Sequence, residues 1–173
     1  MILILEGADL TGKTSVAHKL SELTGIPQTC IWIDLKTPKP AVISVAKTLI
    51  RLLTAIKPNV IFDRSFISEY VYGSILGRET SYILPLIEEW KNIPDCYLII
   101  LTASDKILEE RYFTRGDDYI CLADIIKANN EYLRLGGMIS HYINANIIDT
   151  SHLSIDQLAK EILERIGRGE IIV

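Results

Sequence analysis

One stretch near the amino terminus combines residue types at a spacing suited to holding phosphate groups. Residues 7–14 read Gly-Ala-Asp-Leu-Thr-Gly-Lys-Thr and fit the pattern G-x-x-x-x-G-K-[ST] without a mismatch. Glycines let such a loop approach a polyphosphate closely, so that successive backbone N–H groups surround it. Lys13 would then reach the outer phosphates, and the Thr14 hydroxyl would ligate Mg²⁺. The residues expected to bind the nucleotide are Gly7, Asp9, Thr11, Gly12, Lys13, Thr14 and Ser15.

The context of this loop favours a nucleotide site over an ordinary turn. Residues 1–6 are a short apolar run, and residues 15–23 carry apolar side chains at helical spacing. A helix that starts here directs its positive dipole end at the loop. The alternative is a strand–turn–helix whose glycines serve only the turn, but four matched positions in this context rarely coincide by chance.

Asp9 lies inside the loop, where a carboxylate beside phosphates is electrostatically unfavourable. We therefore expect its side chain to turn away from the phosphates and towards a second substrate, where it could accept a hydrogen bond from a hydroxyl. The alternative is a turn residue that bonds its own backbone.

Asp63 and Arg64 follow a short apolar run at residues 60–62. A carboxylate at the end of a buried strand can hold Mg²⁺ or orient a substrate hydroxyl. The adjacent guanidinium can grip a phosphate with two parallel hydrogen bonds. The alternative is a helix start that is capped by Asp63 or Ser65, with Arg64 in solvent.

Arg111 and Arg115 are four residues apart and would share one face of a helix. Gly116, Asp117 and Asp118 follow them, and we expect residues 111–120 to form a lid. Arginines on such a segment can close over transferring phosphates and exclude water. The alternative is a charged surface helix with acidic neighbours at positions 109 and 110.

The elements that must position these residues alternate between strand and helix patterns. Strands are expected at residues 1–6, 29–34, 60–63, 96–102 and 146–150. Helices are expected at residues 15–23, 41–56, 65–76, 81–92, 106–113, 122–135 and 154–166, the sixth being broken by Gly136 and Gly137. Continuous apolar strands between helices predict an α/β fold with a parallel sheet covered on both faces. Ligands of such sheets bind beyond the carboxyl ends of the strands, which gathers residues 7–14, Asp34, Asp63, Arg64 and residues 102–104 on one rim.

Composition bounds the classes of function. The chain has 173 residues, 49% of them hydrophobic, which predicts one globular domain. Its net charge of −4 argues against a broad nucleic-acid surface. No apolar run is long enough to span a membrane, and no signal peptide is evident. Cys30, Cys96 and Cys121 are far apart, which is typical of reduced, buried cysteines in a cytoplasmic protein.

Two segments resemble the thymidylate kinase family. Residues 6–14 match its E-G-x-D-x-x-G-K-[ST] loop, and residues 63–72 resemble its D-R-[YFH]-x-x-S-x-x-A-Y segment. Pro94-Asp95, Glu110-Arg111-x-x-x-Arg115 and Ile148-Asp149 fall in the family's order. The resemblance implies a three-layer α/β/α P-loop kinase with a five-stranded parallel sheet. It also implies ATP and Mg²⁺ as cofactors and conversion of dTMP to dTDP.

Site roles follow from the same resemblance. Asp9 would bind the sugar 3′-hydroxyl of the acceptor, and Arg64 would bind its phosphate. Phe66 or Tyr70 would pack against the base. The family takes a catalytic arginine from the loop or the lid; position 10 is Leu, so Arg115 or Arg111 is the candidate. Members are commonly homodimers, and the apolar helix at residues 41–56 is a candidate interface.

Three departures keep other functions open. The chain is shorter than usual for the family, no R-E-P-G segment follows the second strand, and Ser65 replaces an aromatic residue. Asp63-Arg64-Ser65 is similar to the E-R-S segment of deoxynucleoside kinases, in which the acceptor is a 5′-hydroxyl and Asp63 would act as a base. A nucleotide-binding switch protein with slow hydrolysis is the alternative from another class, although the N-K-x-D motif of GTPases is absent.

Overall fold

A parallel sheet forms the centre of the chain in the computed structural model, which describes residues 1–31, 33, 37–115, 120–141 and 143–167. Its strands are β1 (Ile2–Gly7), β2 (Gln28–Thr29), β3 (Val60–Asp63), β4 (Cys96–Thr102) and β5 (Ala145–Asp149). All pairings are parallel, and the order is β2-β3-β1-β4-β5. This confirms the predicted α/β class and the five-stranded parallel sheet.

Helices connect the strands. They are α1 (Lys13–Thr24), α2 (Lys39–Ile56), α3 (Ile67–Ile75), α4 (Leu84–Glu88), α5 (Asp105–Arg115), α6 (Leu122–Ile139) and α7 (Ile155–Gly167). Short 3₁₀ segments flank α4 at Ser81–Ile83 and Glu89–Asn92. Among the described residues, no helix combines the length and apolar character that crossing a membrane requires.

The two faces of the sheet bury separate cores, because side chains alternate along a strand. Leu3 and Leu5 of β1 pack in one core with residues of α1 and α7. Ile2 and Ile4 pack in the other core with residues of α2, α3 and α6. The molecule is therefore a three-layer α/β/α structure.

The register of the strands brings the predicted site residues to one edge. Leu5 pairs with Asp63, and Gly7 pairs with Leu101, one residue before the end of β4. The carboxyl ends of β1, β3 and β4 therefore open on the same rim, as the sequence predicts.

Two elements differ from their predictions. The strand expected at residues 29–34 is only Gln28–Thr29, while Asp34 lies outside the described residues. Helix α6 runs through Gly136 instead of ending before it. A Cβ atom on Gly136 would lie 2.7 Å from Ile147 Cδ1, so the glycine lets α6 pack closely against β5.

Two further expectations concern exposure. Cys96 is buried, but Cys30 and Cys121 are exposed, which corrects the expectation that all three are buried. On α2, Leu52 and Ile56 are 50% and 62% exposed, on the helix predicted as a dimer interface. Because the structure contains one chain, the homodimer stays a prediction, as does the cytoplasmic location.

Candidate functional site

The backbone of the phosphate loop includes conformations that glycine adopts more easily than other residues. Gly7 has φ +144°, and a Cβ atom there would lie 2.2 Å from the carbonyl oxygen of Leu101, so only glycine fits. Leu10 and Gly12 have φ values of 68° and 92°, in the left-handed region. Turns of this kind bring successive N–H groups to one side and form a concave anion site. Helix α1 begins immediately afterwards at Lys13 and adds its dipole.

Lys13 is folded over this loop and is only 5% exposed. Its ammonium group donates a 2.5 Å hydrogen bond to the carbonyl oxygen of Ala8, which also accepts a bond from the Thr11 hydroxyl at 2.8 Å. Burial and the nearby Arg64 guanidinium lower the pKa of Lys13 to about 7, although Asp9 and Asp63 act in the opposite direction. A bound anion would supply the negative charge that favours the protonated ammonium.

Arg64 directly follows β3 and contacts the loop at Asp9. Its guanidinium donates to Asp9 Oδ1, and the Tyr72 hydroxyl donates to Asp9 Oδ2 at 2.7 Å. The ring of Tyr72 also lies 5.3 Å from the guanidinium carbon. Burial raises the pKa of Asp9, but the charges of Arg64 and Lys13 outweigh it and hold the pKa below its usual value. Asp9 thus turns towards Arg64, and the two predicted acceptor-binding residues bind each other.

A single cavity of about 260 Å³ lies between these groups. Its lining residues are Asp9, Leu10, Gly12, Lys13, Thr14, Ser15, Cys30, Asp63, Arg64 and Arg115. The structure therefore brings together predicted residues from the loop, from the end of β3 and from the end of α5. Cys30 was not predicted, because it belongs to the expected second strand and no motif marks it.

Asp63 and Thr14 line this cavity with oxygen atoms that suit a hard cation. Asp63 Oδ1 is buried and has no hydrogen-bond partner among the described residues. An orphaned carboxylate oxygen and a hydroxyl-bearing residue that line the same cavity fit the oxygen ligands that Mg²⁺ prefers. Among the residues that the structure describes, no group of three or more His, Cys, Asp or Glu side chains is placed to hold a metal ion.

The two arginines of α5 have different surroundings. Arg111 donates to the carbonyl oxygens of Leu10 and Thr150, at 2.8 and 2.9 Å, and so ties the phosphate loop to the segment after β5. Arg115 is exposed and lines the cavity. Residues 116–119 of the expected lid lie outside the described residues.

The aromatic residues expected to contact a base lie elsewhere, which corrects that expectation. Phe66 is fully buried and packs edge-on against Trp90, with ring centroids 4.9 Å apart. Tyr70 is 7% exposed, and its hydroxyl accepts a 2.6 Å bond from Arg134. Residues 66 and 70 are four apart and share the core face at the start of α3, so neither lines the cavity.

The opposite face of α3 carries residues that sequence analysis missed. Ser68 and Tyr72 are also four apart, and both contact the groups around Arg64. Glu6 was missed as well, although a carboxylate in an apolar strand is a signal. It is fully buried and accepts hydrogen bonds from Ser65, Ser68 and Tyr132.

Comparison with known proteins assigns the chain to a family. No protein-family model matches it. The chain is 31% identical over 176 residues to the SPbeta prophage-derived uncharacterized protein YorR of Bacillus subtilis (strain 168), covering 94% of this chain and 96% of that protein. The chain belongs to the YorR family. A crystal structure of B. subtilis YorR in complex with phosphorylated GDP has a TM-score of 0.78 and 24% identity, covering 98% of each chain.

More distant structures share the fold of the YorR family. Thymidylate kinase from Candida albicans has a TM-score of 0.67 at 18% identity, covering 98% of this chain and 92% of that chain. Deoxyadenosine kinase from M. mycoides, with the products dCMP and dCDP bound, has a TM-score of 0.65 at 15% identity, covering 97% and 100%. The fold is therefore that of P-loop kinases, and the thymidylate kinase subtype stays a prediction.

Proposed function

We propose that this protein is a kinase that transfers the γ-phosphoryl group of ATP to a deoxynucleoside monophosphate, with dTMP as the leading acceptor. The observation that carries the proposal is the presence of both Lys13 and Arg64 in the walls of one cavity. One cation belongs to a phosphate loop and the other lies outside it, which suits a reaction that joins two phosphate-bearing molecules. We call these walls the donor side and the acceptor side.

On the donor side, the loop binds the triphosphate of ATP through its N–H groups and Lys13. The Thr14 hydroxyl and Asp63 would hold Mg²⁺, which when bound neutralises charge on the transferring phosphates. Asp63 has the buried, unpartnered oxygen described above, so a ligand there would satisfy it. Arg115 lines the same cavity and is the lid arginine that we assign to the transferring group.

On the acceptor side, Arg64 binds the acceptor phosphate and Asp9 accepts a hydrogen bond from the sugar hydroxyl. An acceptor phosphate is already a nucleophile, so no strong base is needed. The protein then contributes alignment of the two substrates and stabilisation of charge. The ion pair between Asp9 and Arg64 holds both side chains at the acceptor side before the substrate arrives.

Two observations bear on which base the acceptor carries, and they differ. Resemblance favours dTMP, whereas the YorR crystal structure contains phosphorylated GDP. Phe66 is buried, Tyr70 is 7% exposed and neither lines the cavity, so these two aromatic residues give no support for one base over another. Guanine nucleotides therefore belong in the first set of substrates to test.

A deoxynucleoside kinase is a second candidate, and one observation favours it. In that reaction the acceptor is a neutral hydroxyl, which needs a base to take its proton. Asp63 lines the cavity, and its Oδ1 atom, which has no partner among the described residues, could take that role. The two candidates differ in whether the 5′ position of the acceptor already carries a phosphate.

Radiolabelled ATP with a panel of acceptors tests these assignments. The panel contains dTMP, thymidine, dGMP and deoxyguanosine, together with the remaining nucleosides and monophosphates. We expect a labelled diphosphate from a monophosphate acceptor, formed about a hundredfold or more slowly by Lys13→Ala protein purified in the same way. A labelled monophosphate from a nucleoside would instead establish the second candidate.

The same assay distinguishes both kinases from a nucleotide-dependent switch. Release of labelled phosphate at a rate that no acceptor changes would contradict phosphoryl transfer to a nucleotide. It would support a switch protein with slow hydrolysis.

A further inference from the structure

Glu6 is a buried acidic residue that the proposed reaction does not use. It lies in β1 directly before the phosphate loop and is fully buried. Its Oε1 atom accepts bonds from the backbone N–H and the hydroxyl of Ser65, at 2.8 and 2.7 Å. Its Oε2 atom accepts bonds from the hydroxyls of Ser68 and Tyr132, both at 2.8 Å. One carboxylate therefore joins β1, the turn after β3 and helix α6.

Packing alone does not explain this arrangement, because burying a carboxyl group costs free energy. A buried carboxylate is tolerated only when it is fully hydrogen-bonded, and an apolar residue at this place would need no partners. Glu6 does not line the cavity, so substrate contact does not explain it. Two of its partners, Ser65 and Ser68, instead follow Arg64 by one and four residues, and the third, Tyr132, lies on α6.

Arg64 needs external support because its backbone is strained. It has φ +77°, a left-handed conformation that is unfavourable for a residue other than glycine. Its own N–H donates to the carbonyl oxygen of Leu5 at 3.0 Å, and the next N–H, that of Ser65, donates to Glu6. The Ser68 hydroxyl, which donates to Glu6, also lies 3.4 Å from Arg64 Nη1. Hydrogen bonds thus hold the backbone at Arg64 and at Ser65, and the contact with Ser68 holds the Arg64 side chain.

We propose that Glu6 is a positioning residue that holds Arg64 in its left-handed conformation and directs its guanidinium to the acceptor side. Tyr132 extends the same network to α6, which follows the lid segment in the chain. The inference rests on the proposed function only in assigning the acceptor phosphate to Arg64. The geometric statement about Arg64 stands independently of the reaction.

Kinetics of three variants test this role. Glu6→Ala removes all four hydrogen bonds, and we expect the KM for the acceptor monophosphate to rise about tenfold or more while the KM for ATP changes less than about twofold. Glu6→Gln keeps an oxygen for Ser65 and places an amide near two hydroxyls that can accept from it, so it should restore most of the acceptor KM. If Glu6→Ala does not fold, Tyr132→Phe carries the test, with an expected rise of about threefold in acceptor KM.

Tyr97→Phe is the matched control, because Tyr97 packs in the core on the other face of the sheet. It should leave both KM values unchanged. A variant that only lowers the melting temperature, or that raises both KM values equally, would show that Glu6 serves folding alone and would overturn the inference.

Crystal structures of the variants separate this inference from the proposed function. We expect Arg64 in Glu6→Ala, or in Tyr132→Phe, to leave its left-handed conformation or to lose its contact with Asp9. An unchanged Arg64 would overturn the inference even in an active kinase. If the wild-type protein phosphorylates no acceptor, the proposed function fails, but these structures still decide the role of Glu6.

Discussion

The two walls of the cavity are built in different ways. On the donor side, the phosphate loop is one unbroken segment, residues 7–14, whose glycine, lysine and threonine positions are all close in sequence. The acceptor side combines Asp9 of that loop with Arg64 and Tyr72, which come from two other parts of the chain, and rests on a buried network around Glu6. A contiguous segment carries its function in its own backbone conformation. An assembled wall depends on the packing of helices, so changes far along the chain can alter it.

The largest expected effect is on the donor side. Lys13→Ala should leave a folded protein and lower kcat by about a hundredfold or more, because the charge that binds the outer phosphates is lost. Steady-state turnover measures this, with Lys19→Ala as the control. Lys19 is on the same helix but pairs with Asp156 at 2.7 Å, away from the cavity. Near-normal turnover of Lys13→Ala would remove the lysine from the mechanism.

Arg115 and Arg111 allow a comparison within one helix. Arg115→Ala should lower kcat by about tenfold to a hundredfold, because the arginine at the cavity would stabilise charge on the transferring group. Arg111→Ala should chiefly lower the melting temperature, because it removes the bonds to Leu10 and Thr150. Parallel kcat and melting measurements on both variants decide between these roles. The reverse pattern would make Arg111 the catalytic arginine.

The same difference explains which features of the site can be predicted from the sequence and which cannot. The loop, the strand at residues 60–63 and the strand at residues 96–102 are predicted at their observed positions, since each is determined by local pattern. At the start of α3 the sequence predicts a base contact at Phe66 or Tyr70, but both residues face the core, and Tyr72 is the one that reaches Asp9. Only the packing of α3 on the sheet determines this rotation. Gly136 likewise looks like a helix end until Ile147 is known to lie against it.

The acceptor side is expected to respond as a coupled unit. Arg64→Ala should raise the acceptor KM by about tenfold or more, and Asp9→Ala by a smaller factor, with little effect on the KM for ATP. Because the two side chains are paired, the double variant should be less impaired than the sum of the single effects predicts. A double-mutant cycle on acceptor KM measures this coupling. If Asp9→Ala weakens ATP binding equally, Asp9 is a residue of the loop and not of the acceptor side.

The smallest expected effect is the uptake of a proton when the nucleotide binds at the donor side. With the pKa of Lys13 lowered to about 7, the free protein at pH 8 carries a mostly neutral amine, whereas a bound triphosphate favours the ammonium. Binding of a non-hydrolysable ATP analogue with Mg²⁺ should therefore take up close to one proton at pH 8 and much less at pH 6. Because the bound state holds more protons, the affinity should fall as the pH rises above 7, by up to about tenfold per pH unit.

Calorimetry in buffers of different ionisation enthalpy measures that proton uptake directly. Lys13→Arg is the matched control, since a guanidinium stays charged at every pH used and has no proton to gain. Equal uptake by both proteins would mean that the proton goes to another group. In that case Lys13 would be charged before the nucleotide arrives, and the donor side would be fully preformed while the acceptor side still depends on the Asp9–Arg64 pair opening.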